Sequence, residues 1–145
     1  MLTSRKTPGL TLKALLLLSG IGMSFTGALP ACAQDASLGS ALSPDGKVRI
    51  DIVSLKRTEG DTVTVRFQVT NNSNDSYGVT VDNMRLIDIV GRRSYTPGVS
   101  ARCSIPVGQR FTCYAIFGAP PAGTRTINIQ FYERMDLITG VPISE

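Results

Sequence analysis

In the run DTVTVRFQVTN (residues 61–71), Val63, Val65, Phe67 and Val69 alternate with Thr64, Arg66, Gln68 and Thr70. A period of two is what a strand with one buried face requires, and it cannot be laid on a helix, whose faces repeat every 3.6 residues. The same period recurs in KVRIDIVSL (47–55), where Val48, Ile50 and Ile52 oppose Lys47, Arg49 and Asp51. It returns in RTINIQFYE (125–133) through Ile127, Ile129 and Phe131. Turn-forming clusters separate the runs: TEGD (58–61), NNSNDSYG (71–78), GRR (91–93), PVGQ (106–109) and GAPPAG (118–123). Short strands punctuated in this way predict an all-β chain, an antiparallel β-sandwich of about seven strands.

The N-terminus has a different logic. Arg5, Lys6 and Lys13 give a positive start, ALLLLSGIGMSF (14–25) is apolar or small throughout, and Ala31-Cys32-Ala33 offers a small-x-small cleavage pattern. This is the anatomy of a secretory signal peptide, expected over residues 1–33 and removed on export. The apolar run falls short of the roughly 20 residues that a spanning helix needs. Cys32 has two readings. Cleavage after Ala33 discards it, or LPAC (29–32), which resembles the bacterial lipoprotein box, makes it a lipid-carrying first residue. Pro30 departs from that box. Either way Cys32 leaves the pool of free thiols. The destination is the periplasm or the exterior, with membrane attachment only if Cys32 is lipidated.

Removing the leader changes the charge. It holds three of the 15 basic residues and none of the 11 acidic ones, which leaves 12 against 11. The basic balance of the whole chain therefore carries no case for a nucleic-acid partner. Residues 34–46, QDASLGSALSPDG, are small and polar and read as a flexible lead-in; residues 47–145 read as one domain.

Cys103 and Cys113 flank the turn at Val107-Gly108-Gln109. If the chain turns back on itself there as a hairpin, Ile105 faces Phe111 and Cys103 faces Cys113, close enough for a disulfide. Ala101, Cys103, Ile105, Phe111, Cys113, Ala115 and Phe117 would then share the apolar face, making the pair an inert staple. The rival, a redox or metal-binding pair, lacks the usual C-x-x-C spacing. The chain also has no histidine to complete a zinc site.

FQVTNNSND (67–75) is followed by LIDIVGRRSYTP (86–97), of the form L-x-D-x-x-G-x-x-x-Y, then IPVGQ (105–109) and TCYAIFGAPP (112–121). Over residues 47–131 this order resembles the immunoglobulin-like domains of bacterial secreted proteins and lipoproteins of unknown function, similar in kind to a small secreted mycobacterial immunogen. The resemblance implies an immunoglobulin-like sandwich and an envelope or extracellular location, and it brings no catalytic residues. The chain departs from antibody-type domains in having a local cysteine pair and no tryptophan.

Chemistry is sparsely provided. Without histidine the usual base for a Ser or Cys nucleophile is missing, and Lys47 and Lys56 are the only lysines after the leader. Asp82, Asp88, Glu133 and Asp136 are the candidate carboxylates for hydrolysis, although aspartate near a strand end also favours turns. NNSNDS (71–76) is oxygen-rich but lacks the spaced acids of a calcium loop. Arg92, Arg93, Arg102 and Arg110, with Tyr95 and Tyr114, form the candidate contact surface, being residue types enriched at binding hot spots. Met135, Leu137, Ile138, Val141 and Ile143 make the C-terminal segment either a last strand or a docking tail. The expectation is an exported, non-catalytic envelope protein without metal or cofactor, binding a partner protein or cell-surface component. A structural envelope domain and a small carboxylate hydrolase are the alternatives.

Overall fold

Alternation becomes burial. In the computed structural model, which describes residues 36–132 and 134–145, Val63, Val65, Phe67 and Val69 are fully buried while their neighbours are partly exposed. The expected leader with Cys32, the start at Gln34, and Glu133 lie outside the described residues. Ten strands follow in order: β1 (Gly39–Leu42), β2 (Val48–Thr58), β3 (Thr62–Asn71), β4 (Tyr77–Thr80), β5 (Arg85–Asp88), β6 (Arg93–Tyr95), β7 (Arg102–Ile105), β8 (Arg110–Gly118), β9 (Thr126–Gln130) and β10 (Ile138–Pro142). A single 3-10 turn, Val81–Asn83, separates β4 from β5.

The chain is all-β, and every pairing between named strands is antiparallel. One sheet runs β1-β2-β3-β8, a second β10-β9-β5-β6, and β4 pairs with β7 as a two-stranded ribbon. Side chains from all three meet in one core, consistent with a β-sandwich. Phe67 of the first sheet packs edge-on against Phe131, just past β9, with ring centroids 5.0 Å apart.

Two irregularities let the sequence keep its apolar residues inside. Between Ile52↔Phe67 and Ser54↔Arg66 the register shifts by one, so Val53 is an extra residue in β2. This bulge resets the parity and turns Leu55 inward, where strict alternation would have turned Ser54. In β10, Thr139 and Gly140 both stand between the pairs Ile138↔Ile129 and Val141↔Ile127. Gly140 takes φ +68°, and its N–H donates to Asn128 Oδ1 at 2.9 Å. The C-terminal segment is therefore a strand, with Ile138 and Val141 buried.

The cysteine pair forms a disulfide with Cα atoms 6.2 Å apart, but the hairpin expected around it does not exist. Cys103 of β7 is paired with Val79, and Cys113 of β8 with Phe67. The bond thus joins two different sheets. Asn71 supplies the reason. Fully buried at the end of β3, its Nδ2 donates to the carbonyls of Asp75 (2.8 Å), Ile105 (3.0 Å) and Pro106 (3.3 Å). Its backbone N–H donates to Gln109 O, and Gly108 N–H donates to Asn71 O. Held in this way, residues 106–109 carry the chain across from β7 to β8 instead of folding one strand onto the other. Consequently Ala101 and Phe111, placed on the shared apolar face by the hairpin register, are exposed, whereas Ile105, Cys113, Ala115 and Phe117 are buried.

The flexible lead-in needs correcting as well. Residues 39–42 form β1 on the outer edge of β2, with Gly39↔Ile52 through Leu42↔Arg49. Small residues suit that place. A Cβ on Gly39 would run into the Ile138 side chain, and Ser40 Oγ donates to Asp51 Oδ1 at 2.6 Å.

Candidate functional site

The arginines and tyrosines singled out above lie on β6, β7, β8 and the turn before β6, and their surroundings differ. Arg110 Nη2 lies 3.4 Å from Asp51 Oδ2, whose other oxygen receives Arg49 Nε at 2.8 Å and Ser40 Oγ. Burial raises the Asp51 carboxyl, but the hydrogen bonds from Ser40 and Arg49 and the nearby guanidinium charges outweigh it and hold the group below the ordinary carboxylate value. Arg110 is thus part of a surface ion-pair cluster. The Arg102 guanidinium lies across Gly78, where a Cβ would approach its Nε to 2.8 Å. Tyr95 is half-buried opposite Leu86, and its hydroxyl lacks a hydrogen-bond partner among the described residues. Arg92 occupies the turn at φ +51°, Arg93 is exposed opposite Asp88, and Tyr114 is exposed opposite Arg66.

The carboxylates have local duties. Asp88, buried at the end of β5, accepts the Gly91 N–H at 2.8 Å, so the L-x-D-x-x-G-x-x-x-Y pattern closes the β5–β6 hairpin. A Cβ on Gly91 would collide with that carboxylate. Asp82 accepts the Ser100 hydroxyl at 2.6 Å. In NNSNDS the Ser73 hydroxyl turns inward to Asn71 Oδ1 and Asp75 O, as in a turn. Among the described residues no group of three His, Cys, Asp or Glu side chains could hold a metal ion, and no helix is long and apolar enough to cross a membrane.

The alternating pattern gives no sign of one concave feature. A cleft of about 750 Å³ is lined by Pro44, Tyr77, Asn83, Arg85, Gln130, Tyr132, Arg134 and Met135, within the size range of small-ligand sites. Cross-strand pairing builds its floor, since Arg85 of β5 stands directly opposite Gln130 of β9. Leu86 and Ile129 turn into the core, which leaves their neighbours Arg85 and Gln130 on the other face. Tyr132 fixes one wall: its hydroxyl accepts the Thr80 N–H at 2.9 Å and reaches Gly78 O at 3.4 Å. Tyr77 stands beside it. Burial, with smaller effects from Tyr132 and Asp45, pushes the Tyr77 phenol above its ordinary pKa, so it stays a neutral donor and acceptor.

The described lining is cationic. Arg85 Nη1 donates to the carbonyls of Asp82 (2.7 Å) and Met84 (2.8 Å), which anchors the guanidinium without neutralising it. Arg134 is exposed, and neither arginine meets a carboxylate among the described residues. Two acids of neighbouring turns are engaged elsewhere: Asp45 with Ser43 Oγ and Lys47 N–H, and Asp82 with Ser100. Nothing in the alternating pattern marked these residues, because they are the outward positions of otherwise ordinary strands and turns.

No protein-family model matches the chain, and no curated protein matches it. Among solved structures, the chain is similar to the crystal structure of the yjhA protein from Bacillus subtilis. The two share 14% sequence identity over 59% of this chain and 72% of that one, with a TM-score of 0.47.

Proposed function

We propose that the chain is an exported, non-catalytic domain of the cell envelope, an immunoglobulin-like sandwich that binds a cell-surface component or partner protein through the cleft between Arg85 and Arg134. The observation that carries this reading is a pair of arginines in a walled cleft that meet no carboxylate among the described residues. The non-catalytic part is supported by the lack of histidine, by the turn-closing engagement of Asp88 and by the hydrogen bond that Asp82 accepts from Ser100. Export is supported by the leader-like first 33 residues and by the disulfide, a bond that persists in oxidising compartments.

A photo-crosslinking amino acid at the exposed position Asn83, introduced into the protein in its native envelope, tests the reading. It should capture one dominant component, and the same probe at the exposed Ser94 of β6 should not. Equal or no capture from both positions overturns it. Location is tested separately. The exported protein should begin at Gln34, and palmitate incorporation that disappears in Cys32→Ala would replace the soluble form with the anchored one.

A further inference from the structure

We infer that the cleft takes an acidic saccharide, a sugar chain bearing carboxylates, with the carboxylate held by Arg85 and Arg134. The inference rests on the reading above and names its ligand class. Three features of the lining combine to select that class. Arg85 is pre-oriented by two backbone carbonyls through one terminal nitrogen, which leaves Nε and Nη2 as the paired donors that match a carboxylate. Asn83 and Gln130 present amides that can both donate and accept, which suits hydroxyl groups. Tyr77 and Tyr132 put two aromatic rings on the same cleft, giving the apolar faces of a sugar ring something to lie against. An isolated inorganic anion would use the arginines alone and fill little of about 750 Å³. A neutral sugar would leave both guanidinium charges uncompensated in the complex.

Titration calorimetry on the purified exported protein, with trigalacturonate as probe, is the test. Trigalacturonate should bind, with an affinity that falls as salt rises. Maltotriose, inorganic phosphate and triglutamate should each bind at least tenfold more weakly. Arg85→Gln and Arg134→Gln should each weaken trigalacturonate binding about tenfold or more, the order expected for a charged hydrogen bond. Arg125→Gln, exposed and outside the cleft, should leave it unchanged. Arg134 makes no internal hydrogen bond or ion pair among the described residues, so its substitution probes the cleft even if Arg85→Gln perturbs the fold. Equal binding of maltotriose, phosphate or triglutamate overturns the inference, as does wild-type affinity in Arg134→Gln. Failure of trigalacturonate with capture at Asn83 intact sinks the ligand class alone, and failure of both sinks the cleft as a binding site.

Discussion

Asn71 shows how much a single amide can determine. Its three carbonyl contacts come from the end of β7 and the turn after it, 34 and 35 residues away, and from Asp75, four residues on, so it fixes where the chain crosses between sheets. A carboxylate cannot donate to carbonyls. Asn71→Asp should therefore destabilise the fold by about 2–3 kcal/mol, the cost of stranding buried polar groups, measured by urea unfolding at neutral pH. A loss below about 0.5 kcal/mol would fall within the range of ordinary surface changes and contradict the assigned role. Asp51 acts through charge. Because its folded-state pKa lies below the ordinary 3.8, its contribution is present above about that pH and is lost as the pH falls through the folded value. The unfolding midpoint of the wild type should drop more steeply between pH 5 and pH 2 than that of Asp51→Asn; parallel curves would refute it. At this scale the sequence was only partly legible. The alternation assigned Asp51 to the outer face, yet it could not say that Ser40, Arg49 and Arg110 would bury it there.

Strand by strand, period two identified the central elements well: β3 alternates without a break, and β8 does so from Cys113 to Gly118. What it missed are pairings decided elsewhere in the chain. β1 has too few apolar residues to announce itself and exists because the outer edge of β2 is there to pair with. The β7–β8 hairpin was inferred from local register, whereas β7 finds β4 and β8 finds β3. The cleft was illegible for a related reason, since Arg85 and Gln130 meet only once β5 and β9 pair across more than 40 residues of chain. The disulfide survived the wrong register because ten residues of separation allow several geometries. Closing so short a loop should still contribute about 2.5–3 kcal/mol. Reduction, or the double change Cys103→Ser and Cys113→Ser, should lower stability by that amount without unfolding the chain. Two titratable thiols in the unreduced, unfolded exported protein would show that the bond is not formed.

At the scale of the molecule, all-β architecture and a single core follow from the alternation, while the closing of the edges does not. The outer edge of β2 is covered in two pieces, by β1 up to the bulge and by Ser144 beyond it. Ser144 bridges to Lys56 in parallel, accepting the Arg57 N–H and donating to Leu55 O. Arg57 reinforces that end by binding the carbonyls of Pro120 and Pro121 and by pairing with Glu145 at 3.4 Å. Removing residues 143–145 should leave the remaining fold in place but weaken it, by about 2–4 kcal/mol for the three backbone hydrogen bonds and the Ser144 hydroxyl bond that are lost, and should make it self-associate through the bared edge. Light scattering and urea unfolding would detect both effects, and an unchanged monomer of wild-type stability would count against the edge-covering role. The bridge from residue 56 to residue 144 also sets a timetable. Contacts spanning so much of the chain are slow to form, and this one cannot begin until residue 144 has left the ribosome. Under the export proposed above, a seam that closes this late would keep the chain open while it crosses a membrane.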